Sequence, residues 1–168
     1  MDFYDAIKGR RSIRGFKPDP VPKDSVARLA EAVSLAPSAC NIQPVKVLFI
    51  TNPDLKEKIC NVYTREWLKQ APAIAVALVD SSSAWQRVEG DTIADVDGAI
   101  VMENRVLAAT PEGLGSCWIC AFDRKRMDIA LGLKAPWHAF SITPLGYPDS
   151  APRELKRKKT ADTFEEIP

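Results

Sequence analysis

The sequence predicts an α+β fold, a small, mostly antiparallel or mixed β-sheet flanked by helices. Two mostly apolar runs, Val45–Ile50 (broken only by Lys46) and Ile74–Val79, have the length and β-branched character of buried strands. Around them, apolar residues recur at three- and four-residue intervals, the spacing of one helix face. The two kinds of segment alternate without the strand–helix–strand rhythm of a parallel sheet.

Residues 2–8 read as a short helix carrying Phe3, Tyr4 and Ile7, and it delivers the cluster Arg10-Arg11-Ser12-Ile13-Arg14. An extended stretch follows from Phe16 to Pro22. Pro22 and Asp24 mark a helix entry, Val26, Leu29, Ala30 and Val33 supply one buried face, and Pro37 ends the helix. The loop Ala36–Pro44 is bracketed by prolines and offers Ser38, Asn41 and Gln43 as neutral hydrogen-bonding groups. Val45–Ile50 follows as a strand, apolar enough to predict a central place in the sheet. Pro53 opens a helix to about Lys69 with Leu55, Ile59 and Val62 inward, and Ala71-Pro72 stops it before the second buried strand.

Ser81–Trp85 is predicted as an exposed loop. Asp91 is predicted to cap a long helix to about Thr110, where Ile93, Val96, Ile100, Val106 and Leu107 make much of the circumference apolar. Such a helix needs more than one neighbour, in the core or at a subunit contact. Pro111–Ile119 then carries Gly113 and Gly115 into a strand, where backbone N–H groups can meet a ligand without side-chain obstruction. Asp123 caps a helix through Leu131 that Gly132 closes, and Ser141–Pro148 is a last strand and turn. The tail from Asp149 is polar and basic, and orders only if it docks.

At 168 residues, with 46% apolar and 27% charged residues, the chain is one ordinary domain, 1–168. A net charge of +1 gives no electrostatic reason to expect nucleic acid or an anionic membrane. Basic residues gather instead at positions 8–17 and 153–159, an arrangement suited to a small anionic ligand. No apolar run approaches the roughly 20 residues that span a bilayer. The acidic N-terminus lacks the features of a signal peptide, so Cys40, Cys60, Cys117 and Cys120 are expected as reduced cytoplasmic thiols.

Several familiar chemistries do not fit. Gly113-x-Gly115 lacks the third glycine of a dinucleotide fingerprint and follows a helix, and there is no Walker A sequence. Cys117-x-x-Cys120 has metal-ligand spacing but no second pair near it. His138, the single histidine, sits between Trp137 and Ala139 with no evident nucleophile, so a hydrolytic triad is hard to build. An arginine cluster alone reads as a solvated turn. Joined to a small-residue loop, a glycine-rich site and a basic tail, it fits an enzyme whose cofactor performs the chemistry.

Those stretches resemble the nitroreductase family of flavoproteins: Arg10–Phe16, Ala36–Pro44, Glu112–Trp118 and Pro144–Pro148 appear in family order and spacing. The resemblance implies a nitroreductase-like homodimer with FMN at the interface, held by both subunits, and a C-terminal tail reaching to the partner subunit. It places Arg10 and Ser12 at the phosphate and ribityl chain with Arg11 nearby, and Arg14 beside the N1/C2-carbonyl edge of the ring. Pro37, Ser38, Ala39, Asn41 and Gln43 belong to the loop the partner supplies. Backbone N–H groups of Glu112, Gly113 and Leu114 face N5 and O4, with Gly115 beside them. The tail binds phosphate through Lys156, Arg157 or Lys158, and the run of basic residues leaves open which. Where relatives place an Asn and a Lys near the flavin, this chain has Thr64 and Trp67.

The implied activity is hydride transfer from NAD(P)H through flavin N5 to an electron-poor small molecule such as a nitroaromatic, quinone or flavin. No catalytic side chain or metal is required, and Arg14 acts as electrostatic stabiliser. The alternatives are another flavin reaction on the same fold (flavin fragmentation, reductive dehalogenation or ring oxidation) or a flavin-binding protein without turnover.

Overall fold

A computed structural model of the chain describes residues 1–167. Its elements in chain order are α1 (Phe3–Gly9), α2 (Lys23–Ser34), β1 (Val45–Ile50), α3 (Pro53–Val62), α4 (Glu66–Lys69), β2 (Ala73–Asp80), α5 (Ala94–Ala109), β3 (Gly115–Ser116), α6 (Arg124–Leu131) and β4 (Trp137–Gly146). The strands form one antiparallel sheet in the order β1-β2-β4-β3.

β2 is buried from end to end, and its two faces differ in bulk. Ile74, Val76 and Leu78 join Ile59, Leu68, Met127 and Ile142 in the main core, under α3, α4 and α6. The alternate residues Ala73, Ala75 and Ala77 are small, which lets α5 lie close to the opposite face. Gly98 marks the closest approach, since a Cβ there would come within 2.9 Å of both Val79 and Phe140. α2 packs on α5.

Local signals placed several helix ends correctly. The Asp123 carboxylate accepts from Arg126 N–H, and Gly132 closes α6 at φ 64°. Asn52 caps α3 with Pro53 in its first turn. Other expectations need correction. β1 is an edge strand, not a central one; it reads as buried because both faces are covered, Leu48 and Ile50 by the main core, Val47 and Phe49 towards α2. The helix from Pro53 breaks at Tyr63 (φ −112°, ψ 93°), and its second piece, α4, turns so that Leu68 is fully buried. Asp91 does not cap α5: its carbonyl accepts from Arg87 N–H in a turn through Gly90, and the helix starts at Ala94. On α2, Leu29 is buried but Ala30 is exposed, and on α5 Val96 faces out while Asp97 and Arg105 are buried. β4 begins at Trp137, ahead of Ser141, because β2 extends to pair Asp80 with Trp137.

Candidate functional site

The arginine cluster is strapped onto the sheet's end by its own backbone. Ser12 bridges Ser116 in parallel, and Ile13 N–H donates to Ser116 O at 2.8 Å. Further along, Lys17 N–H donates to Tyr147 O, and Asp149 N–H to Gly15 O. Ile13 and Phe16 are buried and pack with Ala71 and Trp67. A Cβ on Gly115 would lie 2.7 Å from Ile13 Cγ1, so that glycine answers a close approach within the chain.

Two adjacent cavities open along this strap. One, of about 300 Å³, is lined by Arg10, Arg11, Gly113, Leu114, Gly115 and Pro152 among others; the second, of about 360 Å³, is lined by Arg10 to Ser12, Arg14 and the tail from Pro152 to Arg157. Basic segments from both ends of the chain thus meet in one protomer. The Arg11 guanidinium donates to the carbonyl of Arg153. Among the described residues none of Arg10, Arg11 and Arg14 forms an ion pair, and Glu154 is the only acid on the cavity wall. Arg14 lies over the Trp67 ring, 5.9 Å from its centroid, which orients the guanidinium without neutralising it.

Cys117 lies beneath the cluster. Burial pushes its thiol up, against the opposing pull of Arg14, Ser12 and Arg10. It is therefore a neutral, packed thiol at ordinary pH. Cys120 is exposed and accepts from Trp118 Nε1–H at 3.2 Å, so the two cysteines face different surroundings. His138 is exposed and its Nδ1 lies 2.9 Å from Asp128.

The segment after α5 is held from outside. Glu112 accepts from Nε and Nη2 of Arg28, each at 2.6 Å, and from Ser25 Oγ at 2.8 Å. The guanidinium fork, then the hydroxyl, hold its carboxyl down at about 2. Gly113 sits at φ 71°, and its N–H donates to Thr110 O while Leu114 N–H donates to Ala109 O. Those two donors close the end of α5.

The Ala36–Pro44 loop is ordered by different partners. Asp97 Oδ1 accepts from Ala39 N–H at 3.1 Å, Ser38 Oγ accepts from Gln43 N–H at 2.8 Å, and Gln43 Nε2 donates to Asn41 Oδ1 at 3.0 Å. Cys40, Asn41 and Gln43 take φ of 50°, 54° and 57°, conformations that cost of order 1–3 kcal/mol each and persist only when surroundings impose them. Ser38 and Gln43 line a cavity of about 320 Å³ that shares no residue with the arginine cavities.

The structure therefore brings Arg10, Arg11, Ser12, Arg14, Gly113, Leu114, Gly115, Lys156 and Arg157 to one place. Glu112 and Lys158 are off those walls, and Pro37, Ser38, Ala39, Asn41 and Gln43 lie elsewhere in the protomer. Sequence reasoning missed Asp97, Arg28 and Ser25. Asp97 shares α5 with Asp95 and Glu103, so residue type alone did not single it out; the other two depend on a contact 84 or more residues away.

A family model described as the nitroreductase family matches residues 7–62 and 60–147. A protein of Methanothermobacter thermautotrophicus, provisionally named NADH dehydrogenase/NAD(P)H nitroreductase, is 32% identical over 90% of this chain and 80% of its own length. The FMN reductase [NAD(P)H] of Bacillus subtilis is 25% identical over 92% of this chain and 68% of its own. Among solved structures, a nitroreductase family protein from Clostridium novyi NT superposes with a TM-score of 0.82 at 32% identity, covering 92% of this chain and 89% of that one.

Proposed function

The chain belongs to the nitroreductase family, NAD(P)H-dependent flavin oxidoreductases, and on that premise we propose that it binds FMN as a cytoplasmic homodimer and reduces an electron-poor small molecule. The observation that carries the cofactor assignment is the convergence of cations without carboxylate partners on two adjoining cavities of about 300 and 360 Å³. A phosphate is the ligand such forks match, in geometry as in charge. Space of that size suits a mononucleotide.

Arg10 and Ser12, with Arg11 nearby and Lys156 or Arg157 from the tail, would hold the phosphate and ribityl portion. Glu112 to Gly115 would border the ring, and Arg14 would supply a fixed positive charge where electron density builds up. When bound, FMN supplies the centre that accepts hydride from NAD(P)H and passes it to a nitroaromatic, quinone or flavin. Ile13, Phe16 and Trp67 exclude water beneath Arg14 and fix the strap from which it projects. Arg28 and Ser25 hold Glu112, and through it the segment that borders the ring.

A second copy is supported by the position of the Pro37–Gln43 loop, which is ordered yet remote from the arginine cavities of its own protomer. The partner's loop would complete the site. Phe3, Tyr4 and Ile7 of α1 are exposed apolar residues for such a contact. Free cysteines at positions 40, 60, 117 and 120 support a reducing compartment. Residues 1–168 act as one domain in this reading.

The purified protein is expected to be yellow and to release FMN on denaturation, and to oxidise NADH or NADPH when a nitro compound is present. Arg14→Ala is expected to weaken FMN retention or slow turnover about tenfold or more, since it removes charge stabilisation of a few kcal/mol at most at an exposed position. A colourless protein that stays colourless in excess FMN overturns the assignment. Bound FMN with no NAD(P)H oxidation would favour another flavin reaction or binding without turnover.

A further inference from the structure

The place of Trp67 is set by α4. The helix from Pro53 breaks at Tyr63, and the short α4 that follows turns Leu68 fully into the main core. Trp67, the residue before it, is thereby brought against the strap, where it packs with Ile13, Phe16 and Ala71. Tyr63 meets its ring edge-on, with centroids 6.1 Å apart and planes at 78°. A ring held between two packed clusters and an edge-on neighbour is a fixed platform.

Arg14 lies on that platform, and among the described residues it has no ion-pair partner. The acid of α4, Glu66, is engaged by Lys69 at 2.9 Å. Glu154 shares the cavity wall with Arg14, so a guanidinium released from the ring has a carboxylate within its own cavity to turn to. There its charge would be cancelled. On an aromatic face a cation is attracted but not neutralised, and the attraction strengthens as water is excluded. Trp is the strongest of the aromatic faces, and Phe offers a weaker one.

Resting on the flavin reading above, we infer that Trp67 is a positioning residue that keeps the charge of Arg14 available to FMN and so raises the protein's preference for the reduced cofactor. Reduced FMN carries the added negative charge, and a cation held in place beforehand favours it over the oxidised form. Trp67 acts through Arg14 and need not touch the cofactor.

The test measures dissociation constants for oxidised and reduced FMN, the latter without oxygen, together with the midpoint potential of the bound cofactor. Trp67→Leu keeps an apolar side chain beneath the strap and removes the aromatic face. It is expected to weaken reduced FMN about tenfold more than oxidised, which lowers the potential by about 30 mV. Trp67→Phe should change that ratio about threefold, or about 15 mV. In an Arg14→Ala background neither substitution should move the ratio further. A purely structural role would lower Tm and weaken both forms of the cofactor alike. An unchanged ratio in Trp67→Leu, a loss in Trp67→Phe as large as in Trp67→Leu, or the same losses in the Arg14→Ala background overturns the inference. Should Trp67→Leu not fold, Trp67→Phe is compared in the two backgrounds. A threefold change that needs Arg14 upholds the role, and no change, or one independent of Arg14, overturns it. Wild type that takes up no FMN overturns the flavin reading and this inference together. Bound FMN whose ratio the Trp67 variants leave unmoved overturns this inference and leaves the flavin reading standing.

Discussion

Glu112 acts through what it holds, away from the cavity walls. Its carboxylate ties the end of α5 to α2 through Arg28 and Ser25 across a span of more than 80 residues. The carboxyl titrates at about 2 when folded, against an ordinary 4.5, because the Arg28 guanidinium and then the Ser25 hydroxyl favour its charged form. A depressed value gives stability that is fully present above pH 4.5 and is lost as the pH falls towards 2. Glu112→Gln is therefore expected to be less stable than wild type at pH 6 and to lose less on acidification to pH 2.5, in paired urea titrations. Identical pH slopes in the two proteins would remove the ion pair from the account. Nothing near Glu112 in the sequence announces this role, whereas Asp123 and Gly132 were readable because a cap acts within three or four residues of itself.

At the scale of elements, the strap of residues 12–17 is the piece that makes a site out of a cluster. Its pairing with Ser116, Tyr147 and Asp149 leaves no room for a side chain at Gly115. Gly115→Ala is expected to push Ile13 outward, costing about 1–3 kcal/mol and loosening FMN, read as a lower Tm and a raised FMN dissociation constant. An unshifted Tm with normal FMN affinity would show that the strap yields freely. The motif Arg10–Arg14 was legible in the sequence, but its partner strand was not, because pairing is a non-local choice. β1 illustrates the same limit: covered on both faces, it has a central strand's composition at the sheet's edge. On α5, periodicity reported an apolar helix correctly and could not say that Asp97 and Arg105 turn inward, since a few buried polar residues barely alter the average.

For the whole molecule, the α+β class followed from the alternation of segments, and the large and small faces of β2 explain why helices lie at unequal depths on the sheet. Nine of the sixteen expected site residues line the two arginine cavities of one protomer, and the Pro37–Gln43 loop is ordered elsewhere. Sedimentation equilibrium is expected to return twice the 18.5 kDa chain mass, and a protein that stays monomeric at micromolar concentration while holding FMN would show that the Pro37–Gln43 loop is not needed.

Arg10 to Arg14 are made well before the segments that wall their cavities, Gly113 to Ser116 and the tail at Pro152 to Arg157. Translation must pass from Arg10 to Arg157 before the two basic segments can face each other. A nucleotide held by both segments, as proposed, could therefore load only after residues through Arg157 have been made.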